Sequence, residues 1–210
     1  MVLEGVKKVL ESIYQGLDDV EAIDELTNAA IQHGFNLIGY HNTNNPDLNQ
    51  VGFYERSAGI HFGSLKAAND RGEDRDDFDG DENWTHKYFL KAQNPLVIEK
   101  DFDWEMESFD DWSSPDDDEY FDDINIFAYF EKDLGWAIGN EEYHYDIAEI
   151  IQQHGYDCII YRNEKEDVGN YSIAMFDPTK IKLAEMTTDD QGNPIPVEQR
   201  FNEQTNDVRY

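Results

Sequence analysis

The chain opens with apolar positions at helical spacing. Apolar residues recur every three or four positions, which predicts an amphipathic helix at the N-terminus: Val2, Val6, Val9, Leu10, Ile13 and Leu17. Asp18 or Asp19 caps a second predicted helix, and Gly34 ends it. Residues 1–34 are therefore interpreted as an N-terminal helical segment.

Beyond Gly34 the apolar residues fall in the short runs typical of β-strands. Strands are predicted at 35–40, 59–62, 84–92, 96–98, 156–161 and 171–176. Ser64 is the predicted N-cap of a short helix, and residues 70–83 are predicted to form a polar, mobile loop. Helical spacing returns twice, over 124–134 and over 147–155. Short strands interleaved with modest helices predict an α+β domain.

Charge adds a restriction on partners. Asp and Glu number 47 against 16 Lys and Arg, which gives a formal net charge of −31. A negative field of this size repels nucleic-acid phosphates and anionic membranes, and it favours basic partners. Residues 101–123 contain no Lys or Arg but several aromatic residues, so we interpret them as an acidic insertion that packs partly on the body. Residues 187–210 are interpreted as a polar tail.

Other features exclude several kinds of site. The single cysteine, Cys158, lies in an apolar run and is expected in the core. Neither a signal peptide nor a run of about 20 apolar residues is found, which favours a soluble protein of the cytoplasm. The six histidines lack metal-site spacing, and the acidic run 76–82 lacks the register of a calcium loop, so no metal is expected.

Separate segments carry short motifs in a fixed order. They are GYHNT at 39–43, GIHFGS at 59–64, YFLKAQNPL at 88–96, GYDCIIYRNE at 155–164 and YSIAMFDPTKIK at 171–182. Together they resemble the strand motifs of the ADP-ribosyltransferase family, in the branch that includes diphtheria-like toxins, poly-ADP-ribose polymerases and phage-encoded domains. The resemblance spans residues 35–185.

This resemblance implies a fold and a function. The fold is a split β-sheet core over residues 35–186, with the N-terminal helices and the acidic insertion added to it. The function is that of a mono-ADP-ribosyltransferase, which takes NAD as its substrate and transfers ADP-ribose to a macromolecular acceptor. The acidic surface favours a basic protein as that acceptor over nucleic acid. The same resemblance implies a phage or prophage origin and a place in the bacterial or host cytoplasm.

The resemblance also implies roles for individual residues. His41 contacts the ribose, His61 packs on the nicotinamide, and a carboxylate stabilises the developing positive charge. Glu166 is the preferred carboxylate and Glu164 the second choice, both in the loop before the last motif. The remaining implied NAD contacts are Asn42, Thr43, Gly59, Phe62, Ser64 and Ser172.

Three departures from the family pattern leave an alternative open. His61 stands where Tyr is usual, Asn42 replaces a glycine, and Ser172 occupies the position at which polymerase-like members carry their catalytic Glu. The alternative is a binding module that keeps the fold, has weak or no catalysis, and engages a basic host protein through its acidic face as a decoy.

Overall fold

The computed structural model describes residues 25–45, 48, 52–53, 59–79, 84–102, 130, 133–136 and 147–210. Within these ranges the helices are α1 (Glu25–Gln32), α2 (Leu65–Asp79) and α3 (Ile147–Gln153). The strands are β1 (Leu37–Thr43), β2 (Ile60–Phe62), β3 (Trp84–Leu90), β4 (Pro95–Phe102), β5 (Cys158–Asn163), β6 (Tyr171–Met175) and β7 (Ile181–Leu183). The α+β class predicted from the sequence is confirmed.

The strands form two sheets that meet at one pair of residues. The first sheet has the order β1-β3-β7 and is antiparallel throughout. The second has the order β2-β6-β5-β4, in which only β4 and β5 run parallel. Tyr40 of β1 and Gly63, directly after β2, exchange backbone hydrogen bonds of 2.9 and 3.0 Å. We call this pair and the residues beside it the sheet junction.

Two glycines allow the strands to approach this closely. A Cβ on Gly39 would lie 2.6 Å from the Cβ of Phe62, on the other sheet. A Cβ on Gly63 would lie 2.9 Å from the Cβ of Ala67, in the first turn of α2. Real Cβ atoms do not approach neighbours to such distances, so the junction requires glycine at both positions.

The main core lies between the sheets, and two smaller clusters lie outside them. Residues of both sheets form the central cluster, among them Leu37, Phe62, Tyr88, Ile160, Ile173 and Leu183. A second cluster packs α3 on the second sheet, and a third packs α1 on the first. Cys158 is fully buried in the central cluster, as predicted, and burial raises the pKa of its thiol.

The prediction of a loop over residues 70–83 is wrong for 70–79, which continue α2. Ser64 caps the helix by accepting a hydrogen bond from the backbone N–H of Ala67 at 3.0 Å. Among residues 65–73 of α2, the buried positions are small, at Ala67, Ala68 and Gly72, and Gly72 lies directly against Asn42 of β1. Such small residues give almost no hydrophobic signal, so the polar composition misleadingly indicated a loop.

The interpretation of residues 187–210 as a tail also needs correction, because this segment packs on the body. Ile195, Phe201 and Val208 are 2%, 3% and 0% exposed. They are far apart and follow no helical or strand period, which is why the apolar pattern did not reveal them. β7 was likewise not predicted, because it follows Pro178, where the apolar pattern of the sequence weakens.

Basic side chains hold this C-terminal segment to the first sheet. Lys182 is fully buried, and its Nζ donates to the carbonyl oxygens of Thr205 at 2.9 Å and Asp207 at 3.2 Å. Arg200 donates to the carbonyl oxygens of Leu183, at 2.6 Å, and Glu185, at 3.2 Å. Further contacts join Lys91 and Lys180 to Glu203, and Arg209 to Asp190 and Asp207.

The helix ends agree with the sequence, whereas several other predictions fall outside the described residues. Gly34 and Gly155 end α1 and α3 with φ of +83° and +88°. The N-terminal helix over 1–17 and the acidic insertion beyond Phe102 lie outside, as does most of 124–134. In the described part of the chain, no helix is long and apolar enough to span a membrane.

Replacing Gly39 with alanine should destabilise the fold. The added methyl overlaps the Cβ of Phe62, and overpacking of this kind costs about 1–3 kcal/mol in the free energy of unfolding. Urea unfolding of the wild type and Gly39→Ala measures the difference. A variant as stable as the wild type would show that the sheets can separate at the junction without cost.

Lys182 should make stability depend on pH. Burial lowers its pKa from 10.5 to about 8, so the unfolded chain holds this proton more tightly than the folded protein. Between these two pH values the free energy of unfolding should therefore rise with pH, by about 3 kcal/mol at most. Below pH 8 the contribution of Lys182 should be constant.

Lys182→Met removes this titration and provides the comparison. Urea unfolding at about pH 7 and about pH 9.5 should show the wild type gaining stability relative to the variant at the higher pH. An equal stability difference at both pH values would contradict the buried, proton-releasing Lys182.

Candidate functional site at the sheet junction

His41 lies on β1 between the two sheets, next to the junction. Its ring packs against Phe53 and Phe62, with centroid distances of 5.1 and 5.6 Å. Its Nδ1 is 2.7 Å from the carbonyl oxygen of His61. Because a carbonyl only accepts, Nδ1 carries the proton, and the lone pair of the neutral ring is on Nε2. The ring is thus fixed in both orientation and tautomer.

His61 projects from the opposite face of its strand to Ile60 and Phe62. Side chains alternate along β2, so the two apolar residues enter the core while His61 stays half-buried on the other face. Its Nδ1 is 3.1 Å from the hydroxyl of Tyr161, and the two rings meet edge to face. Tyr161 therefore fixes the His61 ring against the second sheet.

The strand register brings further polar side chains to the face of His61. His61 pairs with Ala174 on β6, and Tyr161 pairs with Ser172. Residues two apart on a strand share a face, so Ser172 and Asn163 lie on the same side of the sheet as His61. Ser172 also adjoins the junction, since a Cβ on Gly63 would lie 3.2 Å from its Oγ.

Asn163, at the end of β5, connects this face to the carboxylate of Glu166. Its Nδ2 donates to the Oγ of Ser172 and to the Oε2 of Glu166, each at 3.0 Å. The other carboxylate oxygen of Glu166, Oε1, is 3.6 Å from a guanidinium nitrogen of Arg71 on α2. Of the two catalytic candidates in this loop, Glu166 is linked to Ser172, whereas Glu164 is exposed.

Asp167, the next residue, fastens the loop to the start of α2. Its carboxylate accepts from the hydroxyl of Ser64 at 2.5 Å and from Asn170 at 2.8 Å. Its backbone N–H donates to Asp70 at 3.2 Å. Lys66 hydrogen-bonds to Asp70, which raises the pKa of Lys66 and lowers that of Asp70. Asp167 therefore has a structural role in the loop.

The other residues implied as NAD contacts do not share one location in the structure. Asn42 is buried under α2 and donates to Thr85 at 3.0 Å, on the opposite face of β1 from His41. Thr43 is buried and accepts from the N–H of Asn45, Phe62 is in the core, and Gly59 packs on β6. Ser64 is occupied by the helix cap and by Asp167. Of the sequence candidates, His41, His61 and Ser172 adjoin the junction, and Glu166 is linked to Ser172 through Asn163.

Comparison with protein-family models, curated proteins and solved structures finds no match for this chain. A functional assignment therefore depends on the residues at the junction. In the ranges that the structure describes, no group of His, Cys, Asp and Glu side chains is arranged to hold a metal ion.

Sequence reasoning did not select Asn163, Tyr161 or Arg71 as site residues. Asn163 and Tyr161 lie within the quoted motif GYDCIIYRNE, and their two-residue spacing on a strand was a usable signal for a shared face. Arg71 was assigned to a loop, so its approach to Glu166 depended on the helix that the sequence pattern did not reveal.

Substitution of Ser64 by alanine should destabilise the protein in the absence of any ligand. The change removes the cap of α2 and the hydrogen bond to Asp167, and loss of an N-cap costs about 1–2 kcal/mol. Ser64→Thr keeps the hydroxyl and serves as the control. Equal stability of Ser64→Ala and the wild type in urea unfolding would contradict the capping role and leave ligand contact as the role of Ser64.

Proposed function

We propose that this chain is a mono-ADP-ribosyltransferase that uses NAD as its donor substrate. ADP-ribose passes to a macromolecular acceptor, and the net charge of −31 favours a basic protein in that position. The motif order that resembles the family supports the proposal, as does the two-sheet α+β core. Two separate sheets that meet at Tyr40 and Gly63 are consistent with the family's split β-sheet core.

The observation that carries the proposal is the grouping at the sheet junction. The chain separates His41 from Glu166 by more than half its length, yet His41 adjoins the junction and Glu166 is linked to it by side-chain contacts. His41 contacts the backbone of His61 directly. Ser172 lies beside Gly63, and Asn163 donates hydrogen bonds of 3.0 Å both to Ser172 and to the Glu166 carboxylate. Distant polar residues brought together in this way are typical of a ligand site.

The chemistry assigns each residue a distinct role. The bond between C1′ of the ribose and the nicotinamide nitrogen breaks, and its electron pair leaves with nicotinamide. His41 orients the ribose, His61 packs on the nicotinamide, and the Glu166 carboxylate stabilises positive charge at C1′. The acceptor's nucleophilic atom, oriented by Glu166, then forms the new bond to C1′ and loses its proton to the surrounding water.

A second candidate function is the binding module without turnover. It is favoured by Ser172, which is 3% exposed and occupies the position of the polymerase-like acid. In this candidate the junction binds NAD without cleaving it or binds no ligand, and the acidic surface engages a basic protein. Binding to such a partner would weaken steeply as ionic strength rises, because surface charges are screened.

Release of nicotinamide from NAD tests the enzyme proposal. The purified full chain is assayed with and without a host-cell lysate as the source of acceptor, beside His41→Gln, Glu166→Gln and Glu164→Gln. We expect turnover that requires the lysate and falls at least about 100-fold in the His41 and Glu166 variants. Glu164→Gln is the matched control, because this exposed carboxylate is in the same loop.

The other outcomes separate the candidates. Loss in Glu164→Gln alone would transfer the carboxylate role to Glu164. Saturable NAD binding without turnover would support the binding module. A protein that neither binds nor cleaves NAD would contradict both the donor substrate and the family resemblance as a guide to function.

A further inference from the structure

We propose that Asn163 is the positioning residue of the site, holding the Glu166 carboxylate in place beside Ser172. The catalytic part of this inference rests on the proposed function, because it takes Glu166 as the reacting carboxylate. The positioning part rests on contacts within the chain alone. Asn163 itself is not assigned contact with a substrate.

Every hydrogen-bonding group of the Asn163 amide has a partner in the site. Its Oδ1 accepts from the backbone N–H groups of Lys165, at 2.9 Å, and Glu166, at 3.0 Å, which shapes the turn after β5. Its Nδ2 has two hydrogens, and they go to Ser172 and Glu166. An amide offers two donors and two acceptor lone pairs, so the side chain is fully used.

Burial makes this arrangement rigid. Asn163 is 6% exposed, and it is anchored at the end of a strand that is paired on both sides. Glu166 has a longer side chain in a turn, and left to itself it would sample several rotamers. The amide therefore fixes both the start of the turn and the carboxylate that the turn carries.

The substitution Asn163→Asp separates the two functions of the amide, which are to fix the start of the turn and to hold the Glu166 carboxylate. The new carboxylate has nearly the shape of the amide and keeps an oxygen to accept from the turn N–H groups. It removes both donors, however, and puts a second acidic group about 3.0 Å from Oε2 of Glu166. Two carboxylates at that distance do not both ionise freely, so one of them retains its proton to higher pH.

The other charged groups around Glu166 are unchanged by this substitution. Arg71 faces it from α2, and Asp167 adjoins it in the loop, engaged with Ser64 and Asn170. Lys66 and Asp70 form their own pair on α2. Asn170→Asp is the matched control, because it puts the same new carboxylate beside Asp167 instead of Glu166.

The first experiment needs no activity. Carbon-13 NMR follows the side-chain carboxyl of Glu166 through a pH titration, with its signal identified by loss in Glu166→Gln. In Asn163→Asp we expect the signal of Glu166 or that of the new carboxyl at position 163 to titrate roughly one pH unit or more above the wild-type Glu166 signal, because the two groups share a proton. In Asn170→Asp the Glu166 signal should stay near its wild-type position. No upward shift of either carboxyl in Asn163→Asp, or an equal shift of Glu166 in both variants, would overturn the proposed contact.

The second experiment measures nicotinamide release against pH. Asn163→Asp should move the acid limb of the profile upward, and Asn163→Ala should lower kcat by roughly 100-fold with little change in KM for NAD. A merely structural residue would not move the acid limb. An unmoved limb in an Asn163→Asp variant that still turns over would overturn the catalytic part.

The two experiments distinguish a failure of the proposed function from a failure of the positioning role. If the wild type releases no nicotinamide while the NMR shift is present, the proposed function has failed and the link from Asn163 to Glu166 stands. If turnover requires Glu166 while the NMR shift is absent, the proposed function stands and Asn163 has no positioning role.

Discussion

The close approach of β1 to the end of β2 is the constraint on which the rest of the structure depends. Only the pair of Tyr40 and Gly63 joins the two sheets in the described part of the chain, and it forms because Gly39 and Gly63 have no side chains. This approach brings the backbone of His61 to the ring of His41. It also brings Gly63 against Ser172, from which hydrogen bonds lead to Glu166. A wider junction would separate the candidate residues.

Basic side chains are buried inside a protein whose net charge is strongly negative. Several of its basic residues are directed inward, where Lys182 and Arg200 satisfy backbone carbonyl groups of the C-terminal segment and its surroundings. That segment in turn supports the site, since Asn206 donates to the carbonyl oxygen of Phe53, whose ring contacts His41. The chain as a whole has a formal net charge of −31, and this charge is the physical reason for proposing a basic acceptor.

The sequence predicted the α+β class and most of the strands, because short apolar runs such as that around Cys158 are typical of buried strands. It failed where tertiary contacts replace periodicity. Helix α2 is polar in composition. Its buried residues between 65 and 73 are two alanines and a glycine, which give almost no apolar signal in the sequence. The C-terminal segment is held by isolated residues such as Val208 and by buried cations. Their partners are backbone carbonyl groups that a sequence cannot show.

Part of the candidate site could also be predicted from the sequence. His41 and His61 could be named because they lie in the motifs GYHNT and GIHFGS, which resemble those of the family. The sequence favoured Glu166 over Glu164, but the contacts of Glu166 depend on the turn after β5, in which the backbone N–H groups of Lys165 and Glu166 donate to Oδ1 of Asn163. Ser64 is a different case, because its motif position implies a ligand contact and its hydroxyl in the structure caps α2, a role that the motif does not indicate.

The central claim is that one ligand site includes both junction histidines. The most direct test follows the imidazole nitrogen signals of the histidines by NMR as NAD is added. We expect the signals of His41 and His61 to shift together along one saturation curve. Those of His33 and His154, at the ends of α1 and α3, should stay unchanged as internal controls. Shifts confined to the control histidines, or no shift at any NAD concentration, would contradict a NAD site at the sheet junction.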